Sequence, residues 1–280
     1  MRAGVPVSDA LDSAVVAIGA SGSDSARLDA ELLLAHALGV SRTELFLDSG
    51  RHVEGPAIRA FQDLVRRRAV QHEPVAYLLG RKGFRHIDLA VDPRVLVPRP
   101  ETELLVEVAL DLPHGARVLD VGTGSGAVAL ALKHERPDLV VTGSDASRDA
   151  LVVARANRDA LGLDVELVQA DLLAGLGEDW DAVLSNPPYV AERDRAALPP
   201  DVLRHEPAQA LFAGEDGLDV IRRLVAEAAA TSATLLAMEL GAGQASRVTA
   251  LAQAAGFDDV RALRDLAGIE RVVEGRRAPR

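Results

Sequence analysis

The chain of 280 residues contains no cysteine. Without thiols it cannot form disulfide bonds, thiolate zinc sites or a cysteine nucleophile. Its seven histidines are scattered, and none has a partner at metal-ligand spacing, so the sequence predicts no metal site. Lysine occurs only at Lys82 and Lys133 while arginine is plentiful. We interpret this imbalance as a product of genomic base composition, without functional content.

Long apolar runs are also missing from the chain. No stretch approaches the ~18 consecutive apolar residues of a membrane-spanning helix. Near the amino end, Asp9 and Asp12 precede the short apolar run 15–18, where a secretion signal would carry basic residues. We therefore expect a cytoplasmic protein without a membrane partner. Nearly half of the residues are apolar, enough for a globular protein with one large domain or a medium one plus a small one.

The negative charge of the chain is unevenly distributed. The formal net charge is −11, but residues 1–85 carry eleven Lys and Arg against ten Asp and Glu. The remainder carries twenty against thirty-two. Because nucleic acids are bound mainly through cationic groups, this acidity argues against DNA or RNA as the principal substrate. A local basic patch can still lie within a negative total.

Helical patterns dominate the first part of the chain. Ser25 can begin a helix that ends at Gly39, Ser41–Glu44 has a capping-box pattern, and Pro56 suits a first helical turn. The run Arg66–Arg68 is interpreted as the solvated end of a helix, with a partner-binding patch as the alternative. The predicted organisation has three parts: a helical domain over 1–83, a β-hairpin linker over 84–97 and a further domain over 98–280.

Helical and strand-like runs alternate beyond Pro98. Repeated βα units imply an α/β fold whose mainly parallel sheet is covered by helices on both faces. The last two predicted strands have no helix between them, which favours an antiparallel hairpin. Ligands of such sheets bind at the carboxyl ends of the strands. The predicted strands are 117–121, 139–144, 165–169, 181–185, 233–239, 258–263 and 270–274, and the main helices are 102–110, 126–135, 147–161, 218–230 and 243–254.

A glycine turn, Gly122–Gly126, follows the first strand of this series. Its glycines allow a tight turn and let a ligand approach the backbone. The next helix begins there, with its N–H groups and positive dipole end facing the ligand. The pattern alone also fits a dinucleotide site, so an NAD-dependent dehydrogenase is one alternative.

Acidic residues near the strand ends favour S-adenosylmethionine (AdoMet) as the ligand. Asp120 precedes the glycine turn and could neutralise the ammonium group of AdoMet. Asp145 ends the second strand and could accept both ribose hydroxyls, although a helix cap near Ser147 is an alternative explanation. The pair Asp171–Leu172 would flank the adenine with a polar acceptor and an apolar wall.

The Asn-Pro-Pro-Tyr turn, Asn186–Tyr189, follows a buried strand and indicates the reaction. An amide or exocyclic amine nitrogen is a poor nucleophile, so it reacts only when it is positioned in line with an activated methyl group and kept dry. The Asn186 side-chain oxygen and the Pro187 carbonyl can accept its two N–H groups, which stabilises the developing positive charge. Pro188 biases Pro187 towards an extended conformation, and Tyr189 offers a flat face for packing.

The two turns together predict methylation of an amino group, because hydride transfer has no use for an NH2-binding turn. A purely structural Pro-Pro turn with a core tyrosine is the alternative for the second motif. The candidate catalytic residues are Asn186, Pro187 and Tyr189, and Pro188 joins them as a candidate substrate contact. The candidate cofactor-binding residues are Gly122, Thr123, Gly124, Ser125, Gly126, Asp145, Leu172 and Asn186.

Further motifs along nearly the whole chain resemble those of the bacterial N5-glutamine methyltransferases that modify peptide chain release factors. The Asn-Pro-Pro-Tyr turn alone is shared with adenine and guanine N-methyltransferases, whereas the Pro98–Glu103 segment and the helical N-terminal half are more specific. The segments that carry the resemblance are 26–36, 73–80, 97–103, 122–126, 185–189, 205–207, 216–219 and 265–268.

The resemblance implies a small all-helical domain of the five-helix type, a β-hairpin linker and a seven-stranded, Rossmann-like AdoMet-dependent methyltransferase domain. It implies that the substrate is the glutamine in the Gly-Gly-Gln motif of class I release factors, the proteins of translation termination. AdoMet binding carries over to Gly122–Gly126 and Asp145, and glutamine binding to Asn186–Tyr189. The segment Met238–Gly241 matches the family pattern only loosely, which favours a structural role for Glu239.

Two other functional classes use the same motifs. A nucleic-acid adenine or guanine N-methyltransferase would place a flipped base against the same acceptors, but it should also carry a basic groove. A non-catalytic AdoMet-sensing protein would not need an intact NH2-binding turn. Because residues 1–83 lack glycine turns and clustered carboxylates, we expect them to dock the substrate protein and not to touch AdoMet.

Overall fold

The computed structural model describes residues 4–47, 50 and 52–279. These residues divide into two compact units. The first comprises the chain up to Gly80 together with Pro199–His205. The second comprises Arg81–Leu198 and the chain from Glu206 onward.

The first unit is helical, as the sequence predicts. The capping box is confirmed, since Glu44 N donates to Ser41 Oγ at 3.1 Å and Ser41 N donates to Glu44 Oε2 at 2.7 Å. Gly39, with φ of 64°, ends its helix in the left-handed conformation. The elements, numbered in chain order, are β1 (Val5–Pro6), α1 (Val7–Gly19), α2 (Ala26–Leu38), α3 (Arg42–Leu47), β2 (His52–Val53), α4 (Gly55–Gln71), α5 (Val75–Leu79) and, from the later segment, α9 (Pro200–His205).

The core of the first unit is apolar and includes Ile18, Leu33, Leu34 and Phe61. The interpretation of Arg66–Arg68 as a solvated helix end is wrong for Arg68, which is buried. Its Nε atom donates to Asp29 Oδ2 at 2.8 Å. The attraction between the two opposite charges compensates the cost of burying them. The short antiparallel pair of β1 and β2 and the helix α9 were not predicted.

The second unit alternates strands and helices. Three 3-10 helices, Pro100–Thr102, Glu192–Ala197 and Ala208–Ala210, lie in its connections. The strands are β3 (Arg81–Phe84), β4 (Ile87–Ala90), β5 (Arg117–Val121), β6 (Val140–Asp145), β7 (Glu166–Gln169), β8 (Ala182–Ser185), β9 (Leu235–Glu239), β10 (Asp259–Arg264) and β11 (Glu270–Arg276). The helices are α6 (Glu103–Ala109), α7 (Ala127–Glu135), α8 (Arg148–Leu161), α10 (Asp219–Ala229) and α11 (Ala245–Ala254).

Seven of these strands form one sheet in the order β10-β11-β9-β8-β5-β6-β7. The five strands β5 to β9 run parallel, and β11 is antiparallel to both β9 and β10. The predicted α/β class and the antiparallel terminal hairpin are therefore confirmed. The central strands β8 and β9 are buried along their whole length, which suits a parallel sheet covered on both faces.

The hairpin lies earlier in the chain than the sequence predicts. Its strands β3 and β4 pair from Arg81 opposite Ala90 to Phe84 opposite Ile87, and the segment 95–97 is not a strand. The first strand was missed because Lys82 and Gly83 have low strand propensity, which the cross-strand pairing overrides. Across the described part of the chain, no helix combines the length and the hydropathy needed to cross a membrane.

Candidate active site

The sheet places the two sequence motifs next to each other. Strands β5 and β8 are neighbours, with Val121 opposite Ser185, so that Gly122 and Asn186 follow at the same edge. The Ser185 hydroxyl donates to the Val121 carbonyl at 2.7 Å and ties the two strand ends together. On the other side of β5, the backbone N–H groups of Gly122 and Thr123 both donate to the Ser144 carbonyl at 2.8 Å. The carboxyl ends of three strands therefore meet at one site.

A cavity of about 280 Å³ opens at this edge of the second unit. Most of the candidate residues line it, and Gly126 and Tyr189 do not. The candidates that line the cavity are Gly122, Thr123, Gly124, Ser125, Asp145, Leu172, Asn186, Pro187 and Pro188.

The glycine turn presents open backbone to the cavity at two positions. Gly122 and Gly124 have φ of 73° and 57°, and a Cβ atom at either would have no neighbour closer than 3.9 Å. At Gly126, with φ of 87°, a Cβ atom would lie 2.7 Å from Leu130 Cδ1. Gly126 therefore serves the close packing at the start of α7, while the first two glycines let a ligand approach the main chain.

Asp120 supports the glycine turn from inside. Its Oδ2 atom accepts hydrogen bonds from the Thr123 hydroxyl at 2.6 Å and from Ala129 N in α7 at 3.1 Å. Burial raises the pKa of the Asp120 carboxyl to about 6, while these two hydrogen bonds oppose the shift. The carboxylate thus holds the turn against the helix, a role that the sequence analysis did not assign to it.

Asp145 lines the cavity with both carboxylate oxygens engaged by backbone. Gly124 N donates to Oδ2 at 2.9 Å and Ser147 N donates to Oδ1 at 2.8 Å. The Ser147 hydroxyl itself caps α8 by accepting from Ala150 N at 3.2 Å. Burial raises the pKa of Asp145, and the backbone hydrogen bonds counteract it. Each carboxylate oxygen can accept a second hydrogen bond. Both oxygens can therefore bind a ligand's hydroxyl groups while they hold the two turns.

Leu172 forms an apolar part of the wall in an uncommon backbone conformation. Its φ is 53°, a region that a residue with a large side chain enters only when its surroundings impose it. The neighbouring Asp171 accepts a hydrogen bond through Oδ2 from Arg223 Nη2 at 2.9 Å, and both side chains also line the cavity. The predicted polar and apolar pair therefore lies at the cavity, with its carboxylate in an ion pair.

The Asn-Pro-Pro-Tyr turn presents two acceptors and is held from behind. Asn186 Nδ2 donates to Thr102 Oγ1 at 3.1 Å. Within the part of the chain that the structure describes, no donor bonds to Asn186 Oδ1 or to the Pro187 carbonyl. Both atoms belong to residues that line the cavity, so the arrangement suits a group with two N–H donors.

Tyr189 is held at both ends. Its hydroxyl donates to Glu239 Oε1 at 3.1 Å, and its carbonyl accepts from Gln244 Nε2 at 2.9 Å. The side chain of Tyr189 packs partly against the apolar core. These contacts support the turn, and the packing of the target group against the flat face of Tyr189 stays a prediction.

Glu239, at the end of β9, is a further candidate, to which the sequence reasoning gave a structural role. It is 1% exposed, and its Oε2 atom accepts from the Thr102 hydroxyl at 2.5 Å. Burial raises the pKa of the Glu239 carboxyl to about 7, against the hydrogen bonds from Thr102 and Tyr189. Two features of the sequence could have indicated Glu239. It is a carboxylate at the carboxyl end of a central strand, and a threonine occurs in the Pro98–Glu103 segment.

Two family models match this chain, and known proteins resemble it in sequence. A model described as the PrmC N-terminal domain matches residues 9–80, and one described as a methyltransferase small domain matches residues 100–244. The chain is 44% identical over 276 residues to a release factor glutamine methyltransferase of Deinococcus radiodurans, covering 96% of this chain and 98% of the relative. A protein of the same name from Caulobacter vibrioides is 42% identical over 267 residues, covering 92% of each chain.

A solved structure shares the fold at lower identity. The crystal structure of a methyltransferase from Pyrococcus furiosus superposes with a TM-score of 0.52 at 18% identity. The superposition covers 68% of this chain and 88% of that one.

Among the described residues, no group of three or more His, Asp and Glu side chains could hold a metal ion.

Proposed function

The chain belongs to the release factor glutamine methyltransferase family, and from this we propose that it transfers a methyl group from AdoMet to a release factor glutamine. The acceptor atom is the side-chain amide N5 of the glutamine in the Gly-Gly-Gln motif of class I peptide chain release factors. The observation that carries this proposal is the pair of acceptors, Asn186 Oδ1 and the Pro187 carbonyl, beside the glycine turn in one cavity. Because release factors work in translation termination, we expect the enzyme to act in the cytoplasm.

The residues around the glycine turn fit AdoMet. The open sides of Gly122 and Gly124 leave room for a ligand against the main chain. Asp145 can accept ribose hydroxyls, and Leu172 offers an apolar surface to the adenine. When bound, AdoMet would supply a methyl group activated by its sulfonium centre; the sulfur–methyl bond would break, and S-adenosylhomocysteine would be the leaving group.

The Asn-Pro-Pro-Tyr turn would orient the glutamine amide. The two N–H groups of the glutamine amide would donate to Asn186 Oδ1 and the Pro187 carbonyl. These bonds would direct the lone pair of the amide nitrogen towards the glycine turn. The same two acceptors stabilise the positive charge that grows on the nitrogen as its bond to carbon forms. That nitrogen then becomes strongly acidic and loses one proton to water, so the reaction needs no general base.

A nucleic-acid N-methyltransferase is the second candidate, because a flipped adenine or guanine presents a similar NH2 group. The excess of negative charge after residue 85 favours the protein substrate. Competition between a release factor and DNA or RNA for transfer of a labelled methyl group distinguishes the two. Preferential labelling of the nucleic acid would contradict the proposal.

The first unit would dock the release factor outside its reacting glutamine. The support is the match of residues 9–80 to the PrmC N-terminal domain and the location of the whole cavity lining in the second unit. We expect an intact release factor to be methylated with a higher kcat/KM than a short peptide that contains the Gly-Gly-Gln motif. Equal values for both substrates would argue against docking by the first unit.

The central experiment replaces Asn186. Asn186→Ala should keep most of the AdoMet affinity but lower the methyl-transfer rate by a factor of about 100–1,000, the usual loss when one preorganised electrostatic contact is removed. Asn186→Asp keeps an acceptor oxygen and should retain more activity than Asn186→Ala. Single-turnover kinetics at saturating AdoMet measure this step, and calorimetry of AdoMet binding controls for damage to the cofactor site. A wild-type rate for Asn186→Ala would show that the turn is only structural.

A further inference from the structure

We propose that Thr102 and Glu239 are positioning residues that fix which way the side-chain amide of Asn186 faces. The inference rests on the proposed function, in which Asn186 Oδ1 accepts an N–H group of the substrate glutamine. It adds two residues that act on the substrate amide through Asn186, one of which, Thr102, also lines the cavity.

Three separate elements of the second unit contribute to this arrangement. Asn186 follows β8, Thr102 ends the 3-10 helix before α6, and Glu239 ends β9. A continuous hydrogen-bonded chain runs from Asn186 Nδ2 to Thr102 Oγ1 at 3.1 Å and from that hydroxyl to Glu239 Oε2 at 2.5 Å. Thr102 is 4% exposed and Glu239 is 1% exposed, so water does not compete freely for these bonds.

The direction of this series of hydrogen bonds is set by which atoms can donate and which can accept. An ionised carboxylate can only accept, so the single hydroxyl hydrogen of Thr102 is committed to Glu239. The Thr102 oxygen is then an acceptor towards Asn186, and only the NH2 end of the amide matches it. With the amide reversed, two oxygens would face each other without a hydrogen between them. The carboxylate therefore turns Asn186 Oδ1 away from Thr102.

Such an arrangement matters because an asparagine amide has two nearly isosteric orientations. In one, Oδ1 accepts from the substrate NH2 group, whereas in the other two NH2 groups face each other. A side chain that is held in the productive orientation before the substrate arrives needs no reorganisation during the reaction. The carboxylate, one hydroxyl away from Asn186, supplies that preorganisation.

Tyr189 completes the arrangement by fixing the carboxylate. Its hydroxyl donates to Glu239 Oε1, which leaves Oε2 for Thr102. The charged groups that influence Glu239 are Glu101, which raises its pKa, and Arg271, which lowers it. Because burial brings the pKa of Glu239 to about 7, the kinetics are best measured near pH 8.5, where the carboxylate form predominates.

A matched pair of substitutions at Thr102 tests the proposal. Thr102→Val keeps the shape of the side chain and removes the hydroxyl, whereas Thr102→Ser keeps the hydroxyl. We expect Thr102→Val to lower kcat by about tenfold to a hundredfold, the consequence of losing one hydrogen bond in a buried network. The Kd for AdoMet should stay close to the wild-type value, and Thr102→Ser should retain most of the rate. Equal rates for the valine and serine variants would overturn the proposal.

A double-mutant cycle separates positioning from general support of the fold. In the Asn186→Ala background there is no amide to orient, so Thr102→Val should cause no further loss of rate. Independent, additive losses would contradict the proposal. Should Thr102→Val unfold, Thr102→Ala removes the same hydroxyl without adding bulk beside the carboxylate and must give the same result in the cycle.

The single variants also distinguish this inference from the proposed function. Wild-type activity of Asn186→Ala would refute the role of the Asn-Pro-Pro-Tyr turn itself, and with it the positioning role. Loss of activity in Asn186→Ala together with full activity in Thr102→Val would refute the positioning role alone.

Discussion

Buried carboxylates in the first unit and at the cavity of the second are stabilised in different ways. In the first unit, Asp29 accepts from Arg68 at 2.8 Å, and Glu31 accepts from two arginines, at 2.6 Å and 2.9 Å. Near the carboxyl ends of their strands in the second unit, Asp120 and Glu239 are held by hydroxyl and backbone donors, and no guanidinium or ammonium group pairs with them among the described residues.

The absence of ion pairs applies to Asp120 and Glu239 and not to every buried carboxylate of the second unit. On β11 of the second unit, Glu274 is buried and forms ion pairs with Arg261 at 2.8 Å and Arg276 at 2.5 Å. An ion pair compensates two charges and mainly serves the fold. A carboxylate held by neutral donors keeps its charge available to orient other groups, and burial raises its pKa. Asp120 and Glu239 show the second pattern.

The largest effect should come from breaking the ion pair in the first unit. Arg68→Met leaves Asp29 buried without its cationic partner, held only by the Ser23 and Ser25 hydroxyls, and should lower the free energy of unfolding by ~3–5 kcal/mol. Arg66→Met is the matched control, because Arg66 pairs with Asp63 while both side chains are more than half exposed. The control should change stability by ~0–1 kcal/mol. Urea unfolding of both variants measures the difference, and similar small shifts would remove the contrast.

The second prediction concerns the pH dependence that Glu239 imposes on stability. Its pKa rises from 4.5 to about 7 on folding, so between these values the folded state binds a proton that the unfolded state releases. Stability from this group is therefore complete below pH 4.5 and is lost as pH rises towards 7, by up to ~3 kcal/mol. Glu239→Gln should remove that slope in unfolding measured between pH 4.5 and 8. Parallel curves for the two proteins would contradict the shift.

The third prediction addresses Asp145 as a ligand of AdoMet. Asp145→Ala removes a carboxylate that can accept two hydroxyls and should weaken AdoMet binding by ~1.5–3 kcal/mol. Binding of the release factor should change less, because the cofactor-binding part of the cavity is affected first. Titration calorimetry with each ligand checks this. Unchanged AdoMet affinity would eliminate Asp145 as the ribose acceptor.

The smallest effect is expected at Ser147, which separates helix capping from ligand binding. Ser147→Ala removes the side-chain bond to Ala150 N and should lower stability by about 1 kcal/mol, as for other N-cap residues. AdoMet affinity should fall less than in Asp145→Ala, since the carboxylate remains. If both variants weaken AdoMet equally, the cap explanation of Asp145 is sufficient.

Local patterns in the sequence were enough to locate the main sheet. Each of its seven strands begins and ends within two residues of its predicted bounds. The glycine turn and the Asn-Pro-Pro-Tyr turn could be recognised because each is contiguous, and the parallel topology brings contiguous motifs to one edge.

Contacts between distant residues could not be predicted in this way. Arg68 and Asp29 are 39 residues apart, and Thr102 and Glu239 are 137 residues apart. No periodicity links such pairs, because their proximity depends on the packing of separate elements. The hydrogen bond from Tyr189 to Glu239 was not predicted for the same reason, since Glu239 lies on another strand.

The hydrogen-bonded chain behind Asn186 has a consequence for protein engineering. A short turn that is recognised by four consecutive letters looks portable between methyltransferase sheets. The orientation of its first side chain, however, is bonded to a threonine before one helix and a glutamate at the end of another strand. Grafting residues 186–189 alone would therefore transfer the acceptor atoms without their alignment, and a functional transplant must include all three elements.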